Sequence, residues 1–472
     1  EVNFEEAGTI LEVVLAEPLL PGKSTALKMG FNGQVPLQIR RSGRDSEEEI
    51  DFSMAQWYPK LAEYDYMGWH ANPYIAREFH GVWGNFDVKI RMDSAYTIAA
   101  TGYLQNPHEI GHGYTGPGQP VKRPKGDKLT WHFKAENVHD FVWAADTDYT
   151  HTTAEGPDGL VLHFFYVEET ATTTNWEQLP EYTARAFEIM NSRFGKYPYE
   201  KYSVIQGGDV GMEYPMATLI TGRRSLTSLV GVTVHELVHS WYQMVLGTNE
   251  SLYPWMDEGF TSYASAIVMR ELFGNRRQQY SPHAGSYASY YNIVESGKEE
   301  PMTTHADHFK TNRAYSTAAY SKGAVFLAQL GYIIGEENLQ KGMKRYYETW
   351  KFKHPNANDF NRVMEKVADM ELDWYLQYWV GSTKTIDYGF NSVYGTGENT
   401  MVELKRFGDM MMPVEVLVEY KDGSAELFYI PLRIMRGEKP KEMEIDRVVL
   451  DDWPWVYPTY NFTIPRKTGE IE

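Results

Sequence analysis

Apolar and polar positions alternate along the chain in two rhythms. Up to about residue 166 the apolar residues come in short runs rich in β-branched and aromatic side chains: "TILEVVLAEPLLPG", "STALKMGFNG", "FDVKIRMDS", "YTIAATGYL", "KLTWHFKAE" and "GLVLHFFYV". Gly, Pro, Asn and Asp punctuate them, which predicts strands separated by turns. From "NWEQLPEYTARAFEIMNSRFG" the apolar spacing changes to three and four, the period of a half-buried helix, with Gly195 placed to cap its end. Helical spacing continues through "VTVHELVHSWYQMVLG", "EGFTSYASAIVMRELFG", "YSKGAVFLAQLGYIIG", "ENLQKGMKRYYETW" and "NDFNRVMEKVADM". After about Gly381 strand patterns return in "MVELKRFG", "PVEVLVEYKDG", "AELFYIPLRIM" and "DRVVLDD". There "YKDGSA" predicts a hairpin, because Asp-Gly supplies the φ > 0 positions of a tight turn. The order is β, then mainly α, then β, without internal repeats or low-complexity segments.

Composition narrows the choice of partners. A chain of 472 residues exceeds one ordinary core and predicts two or three domains. With 42% hydrophobic and 23% charged residues it has a globular composition. The most apolar stretch, "GAVFLAQLGYIIG", is broken by Gln and Gly and falls short of the roughly 18 residues a membrane helix needs. The start, "EVNFEEAGTILEVVL", has no basic region followed by an apolar one, so no signal peptide is read there and the chain looks entered in mid-domain. The net charge of −19 comes from interspersed acids and bases without a Lys/Arg stripe, which argues against nucleic acid and anionic membranes as partners. There is no cysteine, so thiolate chemistry is excluded and any metal must be held by His, Asp or Glu.

Two stretches fit H-E-x-x-H, whose histidines converge on one metal only if a helix carries them, since residues i and i+4 then share a face. The first, His108 to His112, follows Pro107, contains Gly111 and runs into Gly113, Gly116, Pro117 and Gly118; it predicts a loop with surface histidines. The second, His235 to His239, stands in a stretch free of Gly and Pro from Val232 to Leu246, with an apolar stripe of Val234, Leu237, Val238, Trp241 and Val245. Zinc needs a third protein ligand. Glu258 offers one, separated from His239 by eighteen residues, at the head of the next helical pattern; the same separation from His112 reaches Trp131, which cannot bind zinc.

H-E-x-x-H, eighteen residues, then E resembles the gluzincin arrangement of the aminopeptidase N and leukotriene hydrolase family. "VGMEYPM" (Val210 to Met216) is similar to that family's exopeptidase motif G-x-M-E-N, with Val210 for the first Gly and Tyr214 for the Asn. "AYSTAAYSKG" (Ala314 to Gly323) is similar to the segment that ends in a catalytic tyrosine, Y-x-K-G. The resemblance implies a multidomain α+β protein. Its parts are an N-terminal β-sheet domain over 1–166 lacking the family's first strands, a thermolysin-like, mainly α catalytic domain over 167–390, and a C-terminal β-sandwich-like domain over 391–472. The long C-terminal helical domain of many members is missing.

The resemblance also implies roles. His235, His239 and Glu258 hold one zinc ion and Glu236 is the general base. Glu213 binds the free α-amino group of a peptide, Tyr320 donates to the oxyanion, Gly211 and Met212 lend backbone contacts to the substrate, and Tyr315 is a second tyrosine candidate. The implied function is a zinc aminopeptidase acting on peptides with a free N-terminus. The rivals are an epoxide hydrolase on the same scaffold, as one branch of the family combines both activities, and a metal-free homologue that only binds peptides; the latter should have lost a ligand or Glu236, and all are present. The aromatic segments "MAQWYPKLAEYDYMGWH" and "DDWPWVYPTY" suggest a carbohydrate-stacking face as a lesser reading, because aromatics in β regions more often fill cores. The family's bacterial members are often exported, but no export signal is visible, and localisation stays open.

Overall fold

The computed structural model describes residues 3–116, 118–274 and 281–472. In the strand Lys128–Val138, Leu129, Trp131, Phe133 and Ala135 alternate inward. Their side chains meet Ile90, Ile98 and Phe141 in one core. This strand pairs antiparallel with Gly84–Asp93 and Tyr103–Leu104. A second, antiparallel sheet joins Gly43–Arg44, Phe52–Met54, Trp143–Asp146 and Thr97–Ala100.

The sheet that matters for function has five strands, in the order Tyr149–Glu155, Val161–Val167, Lys201–Gln206, Ala217–Ile220 and Gly211–Tyr214. It joins residues from both sides of position 166. Its central strand, Lys201–Gln206, is buried at every position, as expected where both faces of a strand are covered. Gly211–Tyr214 is the edge strand, antiparallel to Ala217–Ile220 with Glu213 opposite Thr218. Helices Thr173–Phe194 and Leu226–Val238 pack on each other, and the second also lies on the last two strands.

These elements belong to one of two units. The first comprises Glu1–Ser251, Ile267–Gln278 and Lys351–His354; the second comprises Leu252–Ala266, Gln279–Trp350 and Pro355–Glu472. The second unit holds the helices Ala284–Glu295, Asn312–Ser316, Gly323–Ile334, Glu336–Trp350, Ala357–Ala368 and Asp373–Gly381. Two three-stranded sheets follow. Val402 and Phe462 from one and Val416, Val418 and Phe428 from the other share a single core, the layering of a β-sandwich.

Three local expectations are corrected. "STALKMGFNG" forms no strand: Ser24–Gly33 is exposed chain without regular structure. In the aromatic segments Trp57 and Tyr58 pack on Phe141 and Phe86, but Tyr64, Tyr66, Trp69, Trp455 and Tyr457 are exposed. The helix that starts at Leu226 ends at Val238 rather than running on to Leu246. The backbone of Val245, Leu246 and Gly247 instead bonds the segment Phe352–Lys353, and this pairing draws it out of the helix.

Candidate active site

His239 caps the helix Leu226–Val238 while keeping helical angles (φ −56°, ψ −19°), so the spacing from His235 to His239 still spans one turn. Their rings stand nearly perpendicular, at 87°, and their Nε2 atoms are 3.3 Å apart. Two nitrogens each about 2.0–2.1 Å from one tetrahedral zinc ion stand about 3.3–3.4 Å apart, so the observed pair matches one edge of such a site. The Nδ1 atom of His239 faces the carbonyl oxygen of Tyr242 at 3.3 Å. A proton on Nδ1 donates to that carbonyl and leaves the Nε2 lone pair for a metal.

Glu236 is buried on the same turn, and the edge strand makes room for it. A Cβ on Gly211 would stand 2.4 Å from the Glu236 Oε1 atom and 2.9 Å from Val232 Cγ2, so only glycine leaves the carboxylate its place. Burial, and after it the Glu236 charge, pushes the hydroxyl of Tyr202 well above the ordinary tyrosine range and keeps it neutral. Glu213 is buried on the edge strand; its Oε1 lies 3.9 Å from His239 Nδ1 and accepts no hydrogen bond from the described residues. Glu213 also lines a cavity of about 10 Å³, room for one water, beside Gln56, Asp140, Tyr214 and Glu250. Tyr214, which stands where the resemblance expects Asn, donates its hydroxyl to Gln56 Oε1 at 3.2 Å. The Met212 side chain is buried, and its carbonyl accepts from Thr218 Oγ1 at 3.0 Å.

In the second unit Glu258 is buried in a π-helical turn, Trp255–Gly259, that runs straight into the helix Phe260–Phe273. Tyr320 sits in another π-helical turn, Thr317–Lys322, inserted between two α-helical segments. The two turns pack together through glycines: a Cβ on Gly259 would stand 2.6 Å from the Gly323 Cα, and one on Gly323 2.7 Å from the Gly259 Cα. This approach lets the Tyr320 hydroxyl donate to Glu258 Oε1. Tyr315 is buried and packs edge-on against Phe309. Among the described residues, His235 and His239 belong to the first unit and Glu258 to the second.

The first H-E-x-x-H match has a different fate. A single helical turn, Pro107–Ile110, stands where a loop was expected, and it ends before the second histidine: Gly111 and His112 both have positive φ. His108 is exposed. His112 is not a surface polar; it is half-buried, and its ring nitrogens lie 3.0 Å from Thr97 Oγ1 and 3.1 Å from the Ser94 carbonyl oxygen. Both nitrogens are engaged, which leaves none for a metal.

Residues 180–379 match the family described as Peptidase family M1 domain. Rat (Rattus norvegicus) aminopeptidase B is 27% identical over 278 residues, which are 55% of this chain and 39% of the rat protein. A leukotriene A-4 hydrolase homolog from Botryotinia fuckeliana is 24% identical over 291 residues, 59% of this chain and 43% of that protein. The chain thus spans about two fifths of these curated relatives. An M1 zinc metallopeptidase from Deinococcus radiodurans, solved as a crystal structure, superposes with a TM-score of 0.57 at 18% identity, covering 82% of either chain; this likeness concerns the fold.

The matched stretch contains both the second H-E-x-x-H and Glu258. Sequence reasoning missed two supports of this region. One is the spacing role of Gly211, which is visible only once strand and helix are packed. The other is the pair of π turns, for which composition gives no cue.

Proposed function

We propose that the protein is a zinc-dependent aminopeptidase that removes residues singly from the free N-terminus of peptides. One observation carries the reading: two imidazole Nε2 atoms on one helical turn, 3.3 Å apart, with the buried carboxylate of Glu236 between them in sequence. In this reading His235, His239 and Glu258 hold the metal, and the catalytic domain lies within 167–390, its sheet completed by strands that begin at Tyr149. A bound zinc ion supplies Lewis-acid chemistry, polarising the scissile carbonyl and acidifying water. Glu236 accepts the proton of the attacking water at its carboxylate and hands it to the leaving nitrogen. Glu213, whose Oε1 accepts no bond from the described residues, receives the substrate ammonium in a charge-assisted hydrogen bond. The edge strand offers the backbone of Gly211 and Met212 to an extended peptide, as sheet edges do. Tyr320 turns its hydroxyl from Glu258 to the oxyanion; one such donor contributes about 3–4 kcal/mol in the transition state.

The test is metal analysis of the purified protein together with digestion of one peptide in free and N-acetylated forms. The reading expects one zinc per chain, stepwise trimming of the free peptide and no cleavage of the acetylated one. Internal cuts in the acetylated peptide would make it an endopeptidase, and a metal-free, inactive protein would make it a peptide-binding module.

A further inference from the structure

The π turn that carries Tyr320 needs an explanation of its own. It interrupts what is otherwise a helix from Asn312 to Ile334. π turns are rare in such helices and are found mostly as single-turn insertions at functional sites. The glycine contact to Gly259 explains why the turn can approach its neighbour, but not what fixes its rotation. The last residue of the turn, Lys322, has its side chain 1% exposed. Its Nζ donates to Glu299 Oε1 at 2.7 Å and to the Ser382 carbonyl at 3.0 Å, and it lies 5.7 Å from the ring centre of Tyr290 and 5.8 Å from that of Trp379. Glu299 is 8% exposed. A buried ion pair of this kind seldom adds net stability over an apolar pair of the same shape; its best-attested service is to fix register.

We propose that Lys322 and Glu299 are positioning residues for Tyr320: their buried pair locks the rotation of the π turn and so aims the tyrosine hydroxyl at Glu258. Three anchors fix the ammonium from different directions: a carboxylate, a carbonyl and an aromatic wall. A residue two positions before such an anchor in a tight turn has little freedom of azimuth. If the pair is broken, the turn can relax toward the α-helical hydrogen-bond pattern. Tyr320 then rotates away, although its own side chain is unaltered.

The kinetic part of the test rests on the reading that Tyr320 acts in peptide hydrolysis, so a second measurement does not use activity. In kinetics, Tyr320→Phe is expected to lower kcat about 100- to 1000-fold. Lys322→Met is expected to lower kcat at least about tenfold with KM nearly unchanged, and Tyr320→Phe added to it to cost much less than in the wild type, because the hydroxyl is already misplaced. Glu299→Gln, which keeps shape and removes charge, carries the same expectation should Lys322→Met fold poorly. In spectroscopy, 3-fluorotyrosine is placed at position 320 of the full chain. Its ¹⁹F resonance should move in both variants toward the position it takes in the unfolded protein. An unmoved resonance overturns the proposal, as does a Lys322 variant in which Tyr320→Phe still costs its full factor. If Tyr320→Phe leaves kcat intact in the wild type, the catalytic reading of Tyr320 falls, and the ¹⁹F shift alone decides the positioning role.

Discussion

At the scale of single residues the candidate site separates groups that do chemistry from groups that make room for it. Glu236→Gln should retain zinc, since His235, His239 and Glu258 are untouched, and should lose about 10²–10⁴-fold in kcat because an amide cannot accept the water's proton. Turnover near the wild-type rate would remove Glu236 from its role. Gly211→Ala makes a sharper claim. The added Cβ would meet the far end of the Glu236 side chain, which can swing aside. Thermal unfolding should therefore change little while kcat falls, and a variant with full kcat would show that the carboxylate position is unimportant. Glu213→Ala should weaken free peptides strongly without changing zinc content, because the substrate ammonium would enter a desolvated site without its partner. An unaltered KM for free peptides would remove Glu213 from substrate binding. The i, i+4 spacing of His235 and His239 was legible in the sequence, and the helix keeps it. The place of Gly211 was not, because it depends on a strand and a helix meeting.

At the scale of elements the period of the apolar residues located most helices, and the alternation located the strands that have partners. It failed at Ser24–Gly33, where the residues favour strands but no neighbour pairs with them, and at Val238, where pairing with Phe352–Lys353 overrides helix propensity. The two π turns were invisible for a related reason: their close packing depends on Gly259 and Gly323 meeting across the fold. Gly259→Ala puts a Cβ 2.6 Å from backbone that cannot swing aside. It should cost about 1–3 kcal/mol in stability, as overpacking does, and should disturb the bond between Tyr320 and Glu258. Urea denaturation with a midpoint equal to the wild type would contradict this. Gly211→Ala and Gly259→Ala thus differ in kind: one displaces a side-chain end, the other a main chain.

At the scale of the molecule the most consequential feature is a set of histidines in the first unit, His139 buried and His80, His151 and His163 half-buried. Burial above all holds His80 at about 2, His139 at about 3, His151 at about 4 and His163 at about 2. All four stay neutral in the folded state at any pH near neutrality. In the unfolded chain each takes a proton near pH 6.5. Folded values below unfolded ones mean that their contribution is complete above about pH 6.5 and is lost as the pH falls, by up to about 2 kcal/mol each at pH 5. Urea titrations at pH 7, 6 and 5 should show stability falling steeply before most carboxylates begin to titrate. A flat profile over that interval would show that the histidines are not held neutral.

The inserted turn at Thr317–Lys322 has one more consequence. A π turn contains one residue beyond what an α-helix needs, and each residue advances the helix by about 100°. Deleting Ala318 would leave a sequence well able to form an uninterrupted helix, with circular dichroism close to that of the intact protein. The flanking helices would keep their faces, since an α turn closes one revolution with one residue fewer, but Tyr320 would lose the place that the wider turn gives it. A helix of nearly normal content with the bond between Tyr320 and Glu258 lost would then show that the length of the segment, and not only its side chains, sets that bond.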